Sequence, residues 1–111
     1  MMKVTVLLTR PPLSTAHLTE AVRVSFMIAA LNHEVDFVLI DDGVFILLEQ
    51  TGGKFGRETL RRMEGTDSIR IRVHAGSFRR LIPEVPLPEN YRLIESDELS
   101  SIMLSSKVLV F

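Results

Sequence analysis

His74 and Ser77 are the residues whose types and spacing offer the clearest chemistry. His74 follows the run Ile69–Val73, whose alternation of apolar and basic residues predicts a strand, and Ser77 lies three residues later. An imidazole can act as an acid, a base or a hydrogen-bond donor near neutral pH. Nothing in the linear order marks Ser77 as an activated nucleophile. His74 is therefore the candidate catalytic residue, and an ordinary turn histidine is the alternative.

A second polar group, Asp41, Asp42 and Gly43, follows another strand-like run. Two carboxylates at the end of a strand could form an acidic pocket. Aspartate before a helix more commonly caps that helix and compensates its dipole. We favour the capping interpretation, with a helix over the apolar stretch Val44–Leu48, although this stretch could also continue as a strand.

The sequence offers no pattern for a metal or a cofactor. Its three histidines lack the spacing of metal ligands, and without cysteine no thiolate can complete a zinc site. Gly52–Arg57 contains the glycines and the lysine of a phosphate-binding loop but not their spacing, and it does not directly follow a strand. We therefore expect a flexible loop over Gln50–Gly56, no metal and no cofactor.

Strand-like and helix-like segments alternate along the chain and must position these residues. Lys3–Thr9 and Val35–Ile40 are apolar with little alternation, as in strands covered on both faces of a parallel sheet. Three further strands are predicted over Ile69–Val73, Tyr91–Ile94 and Lys107–Phe111. Helices are predicted over Thr15–Asn32, Val44–Leu48, Arg57–Met63, Ser77–Leu81 and, capped by Ser96, as far as Ser105. This order predicts a single α/β domain over residues 1–111, with three layers (α/β/α) around a mostly parallel five-stranded sheet.

Composition narrows the class of protein. The chain has 111 residues, with 13 Lys and Arg against 14 Asp and Glu, so its formal net charge is -1. A nucleic-acid binder would need a basic excess, so we expect no direct nucleic-acid contact. No apolar run approaches the length that spans a bilayer, so we expect no membrane association. The absence of cysteine fits a reducing compartment, and we expect a cytoplasmic protein.

Four segments together carry a resemblance to a known family: Thr15–Ala21, Asp41–Leu48, Val73–Arg80 and Lys107–Phe111. The second contains Asp-Gly-Val followed by apolar residues, and the third is a strand that enters a turn. With these segments the chain resembles the DsrE/DsrF-like (TusC-like) sulfur-relay family over essentially its whole length. The resemblance implies a DsrEFH-like fold with flavodoxin-like topology.

The resemblance also implies a role in sulfur transfer, with one departure. Family members that carry sulfur place a cysteine just after the third strand, where His74 stands here. This chain has no thiol for direct sulfurtransferase chemistry, and it most resembles the DsrF/TusC-type subunit that supports a cysteine-bearing DsrE/TusD-like partner. Homo- or hetero-oligomers, as trimers or hexamers, are implied, serving tRNA thiolation or sulfur oxidation. His74, Asp42, Gly43 and Ser77 would line the vestigial site.

A stand-alone enzyme or small-ligand-binding protein is the alternative function. In that case His74 would be the acid or base, and Arg10 or Arg79 would hold an anionic ligand. A purely structural oligomer is a third possibility.

Overall fold

The computed structural model describes residues 2–11 and 15–111, with the backbone alone at 15, 49–55 and 57. The strands are β1 Lys3–Leu8, β2 Glu34–Leu39, β3 Ile69–His74, β4 Arg92–Ile94 and β5 Lys107–Val110. The helices are α1 Thr15–Ala30, a 3-10 helix Asp41–Leu47, α2 Glu49–Glu64, α3 Ala75–Leu81 and α4 Ser96–Leu104. In this part of the chain no helix is long and apolar enough to cross a membrane.

The five strands form one sheet in the order β4-β3-β2-β1-β5, and each neighbouring pair is parallel. The chain adds β2, β3 and β4 outward on one side of β1 and then returns to place β5 on the other side. This order differs from the 2-1-3-4-5 order of flavodoxin, because the reversal occurs only after the fourth strand. The predicted α/β class and the parallel five-stranded sheet are confirmed.

Helices cover both faces of the sheet, which gives the predicted three layers. The larger core joins β1, β2 and β3 to α1, the 3-10 helix, α2 and α3; its fully buried side chains include Val6, Phe37, Leu39, Met63 and Val73. The smaller core lies on the other face, where Leu99 of α4 packs with Leu7, Val38 and Ile94. Right-handed crossovers explain this division, because the return from β4 to β5 reverses direction and carries α4 to the opposite face.

The loop predicted over Gln50–Gly56 is wrong, because this segment belongs to the 16-residue helix α2. Its glycines lowered the helical tendency of the sequence. Gly56 is buried, and a Cβ built there would lie 3.2 Å from Cγ1 of Ile46 in the 3-10 helix. At this position the glycine lets α2 pack closely against its neighbour, so tertiary contact outweighs local propensity.

Two predicted helix starts also need correction. The third helix begins at Ala75 rather than at Ser77, so the predicted turn is its first turn. The last helix begins at Ser96 itself, with Glu95 at its N-cap and no capping hydrogen bond from a side chain. Both starts involve the ring of His74, which contacts Ser77 in α3 and Ser96 in α4, and the linear pattern does not show these contacts.

Tyr91 joins the start of β4 to the end of α2. Its side chain is buried, and burial, followed by the charge of Glu64 and a hydrogen bond to it, raises the pKa of the phenol far above its usual range. Asn90 also donates a hydrogen bond to Glu64. The pair anchors the long segment between α3 and β4 at the C-terminal end of α2.

We expect Tyr91 to resist ionisation until the protein unfolds. The free phenol titrates near pH ~10, so a raised pKa in the folded state means that stability is kept below this pH and falls as pH rises above it. Tyr91 is the only tyrosine, and tryptophan is absent, so absorbance reports this phenol alone. Glu64→Gln should let it ionise at lower pH than in the wild type. Phenolate formation near pH ~10 in the native wild type would contradict this account.

Candidate functional site

His74 lies where β3 passes directly into α3, at the carboxyl edge of the sheet. It is the last residue of the strand and the N-cap of the helix, with φ -67 and ψ 116. Its Nδ1 accepts a hydrogen bond from the backbone N–H of Ser77 at 3.2 Å. An imidazole nitrogen therefore takes the role that a serine or aspartate oxygen usually plays at a helix start. Such a bond satisfies an amide that would otherwise lack an acceptor.

Ser77 connects this cap to the neighbouring strand. Its side chain is 1% exposed, and its Oγ accepts the backbone N–H of Asp41 at 2.9 Å. The same Oγ lies 2.8 Å from Nδ1 of His74. Because Nδ1 already accepts the Ser77 amide, the Ser77 hydroxyl is the donor in this contact. The start of α3 is thereby tied to the residue that follows β2.

The other ring nitrogen of His74 reaches α4. Nε2 lies 2.8 Å from Oγ of Ser96, the first residue of α4. With Nδ1 acting as acceptor, the hydrogen-bond network assigns the proton of the neutral ring to Nε2, which donates to Ser96. His74 pairs in register with Ile94 of β4, so Ser96 follows only two residues beyond. One imidazole therefore links helices that cover opposite faces of the sheet.

Gly76 gives the imidazole room to lie over the first turn of α3. A Cβ built at Gly76 would stand 3.1 Å from Cε1 of His74, tighter than ordinary contact. Sequence reasoning placed Gly76 in a turn and missed this role. It also assigned Ser96 only as a cap. The parallel pairing of β3 with β4 is the signal that would have brought Ser96 to His74.

The aspartates do not cap the 3-10 helix, which corrects the capping prediction. Its N-cap is Ile40, which has no side-chain capping bond, and Asp41 and Asp42 lie in the first turn. Asp41 adopts a φ of 52, a left-handed conformation that costs an ordinary residue about 1 kcal/mol. This turn directs its amide towards Ser77. The exposed carboxylate of Asp41 lies 4.0 Å from Nη2 of Arg80, a contact that contributes little in water.

The other predicted binding residues take different places. Asp42 is exposed in the first turn of the 3-10 helix. Gly43 is buried, and a Cβ there would lie 1.9 Å from the backbone O of Leu8, so the glycine lets the 3-10 helix approach the end of β1. Arg79 pairs with Glu95 at 3.1 Å, next to Ser96 in the chain. The structure therefore brings Ser77 directly to His74, whereas the contacts of Gly43 and Arg79 lie elsewhere.

The arrangement favours hydrogen bonding over proton abstraction. Both ring nitrogens of His74 are engaged, and the Ser77 hydroxyl is too buried to serve as a nucleophile for an external substrate. Ser96 is exposed. Because its Oγ accepts from His74, its own hydroxyl proton is free to donate outward. Among the described residues no group of histidine and acidic side chains could hold a metal ion.

The fold and this cluster define a class: a parallel α/β protein with polar side chains gathered at the carboxyl edge of its sheet. The sequence model of the DsrE/DsrF-like family matches residues 2–81, and the chain belongs to this family. The crystal structure of the ychN protein from E. coli matches with a TM-score of 0.83 and 20% identity, covering 100% of both chains. This likeness shows a shared fold. The comparison with curated proteins gives no match.

We expect Ser77→Ala to destabilise the protein by about 1–3 kcal/mol, because it leaves the amide of Asp41 without its acceptor and removes one bond to His74. Ser100→Ala, at an exposed position on α4, is the matched control and should change stability by less than about 0.5 kcal/mol. Urea unfolding measures both. Equal stability of the two variants would show that the link between α3 and the end of β2 carries no free energy.

Proposed function

We propose that the chain is a cysteine-free, DsrF/TusC-like subunit that supports sulfur transfer by a cysteine-bearing DsrE/TusD-like partner. The observation that carries this proposal is the position of His74. It stands at the junction of β3 and α3, where the family resemblance puts the sulfur-carrying thiol, in a chain that contains no cysteine. Membership of the DsrE/DsrF-like family supports the general role.

The hydrogen-bond network suggests what such a subunit contributes. The Ser77 hydroxyl donates to Nδ1 of His74, and Nε2–H donates to Ser96. This chain of hydrogen bonds ends at the exposed hydroxyl of Ser96, which can donate to an anion. A thiolate or persulfide on a partner is such an anion, and a charged acceptor strengthens the hydrogen bond that it receives. In this role His74 is a positioning residue, and Ser96 is the group that meets the partner.

The stand-alone function has less support. An acid or base needs a ring nitrogen that can reach substrate, and here both nitrogens bind side chains of the same chain. Arg79, one of two candidates for holding an anion, is paired with Glu95.

The proposed setting is an oligomer in the cytoplasm, homomeric or with the partner, as a trimer or hexamer. It would serve tRNA thiolation or sulfur oxidation without a cofactor of its own. Exposed apolar side chains support association. Met27 on α1 is 54% exposed, and Leu31, the residue that follows this helix, is 68% exposed. Such surface is costly in water unless another chain covers it.

The test combines this chain with a cysteine-bearing DsrE-type protein from the same organism. Native mass spectrometry should show a complex, and persulfide labelling should show that transfer from the partner's loaded cysteine to an acceptor depends on this chain. Ser96→Ala should slow the transfer several-fold, whereas Ser100→Ala should leave it unchanged. Transfer of equal rate with and without this chain, or the lack of any complex, would refute the proposal.

A second prediction concerns His74→Cys. The amide of Ser77, which now donates to the imidazole, would be free to donate to a thiolate at this position. That thiolate should attack the outer sulfur of glutathione persulfide, forming a protein persulfide and releasing glutathione thiolate. Intact-mass measurement should show the gain of one sulfur atom several-fold faster than in Ser100→Cys, the exposed control. Equal rates for the two thiols would mean that the β3–α3 junction does not favour sulfur chemistry.

A further inference from the structure

A groove opens at the amino-terminal edge of the sheet, far from His74. It measures about 610 Å³ and is lined by Met2, Lys3, Leu104, Ser105, Ser106 and Lys107. Leu104 is 89% exposed and Met2 is 48% exposed. These are large apolar surfaces to leave in water at one place. The groove lies where β1 and β5 begin and α4 ends.

Two lysines flank these apolar side chains. Lys3 and Lys107 begin neighbouring parallel strands, in which Val4 pairs with Lys107. Because side chains alternate along a strand, the two lysines leave opposite faces of the sheet and flank the groove on both sides. Both are exposed, and among the described residues neither forms an ion pair. The serines are engaged locally, because the hydroxyls of Ser105 and Ser106 donate to the carbonyl of Ile102. The groove thus combines exposed apolar side chains with two lysines whose charge is not compensated.

A segment of complementary character lies at the opposite lateral edge of the sheet. Residues 83–89 lead to β4, and Asn90 is bonded to Glu64 near the end of α2, which places the segment towards the same amino-terminal edge. Val85 and Leu87 pack against the core. Between and beside them, the exposed side chains are Pro83, Glu84, Pro86, Pro88 and Glu89. In the described part of the chain Glu84 and Glu89 have no ion-pair partner.

The positions of groove and segment suit a closed ring. They lie at the β5 and β4 edges, which are the two ends of the strand order. Rotation about an axis that runs roughly along the strands brings the segment of one copy to the groove of the next. Contacts between two different surfaces of identical chains close into rings when the rotation allows it. Proline-rich segments lose little conformational entropy on docking, which favours this segment as the inserted part.

We propose that the groove formed by Met2, Lys3, Leu104 and Lys107 binds the Pro83–Glu89 segment of a second copy, and that repetition of this contact builds a ring. Exposed prolines cover Leu104 and Met2, and the glutamates face the two lysines. The proposal rests on the oligomer named under the proposed function and identifies the surfaces that form it.

Charge exchange between the two surfaces tests the contact. Light scattering coupled to size exclusion should give the wild type a mass that is a whole multiple of 12.5 kDa, at least three. Lys107→Glu and Glu84→Lys should each reduce the assembly to smaller species, because each places like charges opposite one another. The two changes combined in one chain should restore the wild-type mass. Asp97→Lys, an exposed charge reversal at the carboxyl edge, should leave the mass unchanged.

A monomeric wild type would overturn the proposal, as would an assembly whose mass neither single variant changes. Failure of the combined variant to restore the ring, or equal dissociation by Asp97→Lys, would also overturn it. Urea unfolding of each variant verifies that it remains folded. The proposed function is tested separately: partner-dependent sulfur transfer that fails while the ring survives refutes that function and leaves this contact in place.

Discussion

The carboxyl edge of this protein depends on one imidazole with both nitrogens engaged. His74 accepts from the amide and hydroxyl of Ser77 and donates to Ser96, so it holds the starts of α3 and α4 at the same strand end. These helices cover opposite faces of the sheet. A cysteine in the same place could satisfy the amide of Ser77, but its single sulfur atom could not bridge to Ser96 in the same way. An imidazole at this position therefore provides a hydrogen-bonded link between the two helices that a thiol could not provide.

Much of the fold follows from local pattern. The apolar runs that become β1 and β2 have few polar residues because both faces of a parallel sheet are covered, and the sequence shows this directly. Alternation of apolar residues with Arg70 and Arg72 likewise predicts β3, where both arginines approach Asp36 across the sheet. The first half of helix α2 was not predictable, because its glycines lower the local tendency to form a helix and the packing of Gly56 on Ile46 is a long-range contact. Long-range contacts determine the secondary structure of such a segment.

The position of the candidate site could be predicted from the sequence, but the hydrogen bonds that connect its residues could not. A strand end followed by a small-residue turn places His74 and Ser77 at the carboxyl edge. The hydrogen bond from His74 to Ser96 depends on β4 lying beside β3, which no local pattern encodes. Asp41 shows the same limit of prediction from local sequence. Its sequence context suggests a cap, yet its left-handed backbone turns its amide to Ser77 and leaves its carboxylate in solvent. Side-chain chemistry was visible in the sequence, whereas the pairing of donors with acceptors required the fold.

The protonation pattern of His74 tests this account most directly. Nitrogen-15 NMR of the imidazole, at a pH where the ring is neutral, distinguishes a protonated from an unprotonated ring nitrogen. The account predicts a single tautomer, with the proton on Nε2 and Nδ1 acting as acceptor, and Ser77→Ala and Ser96→Ala should each disturb it. A proton on Nδ1, or rapid averaging between the two tautomers, would contradict the claim that this side chain is held between α3 and α4.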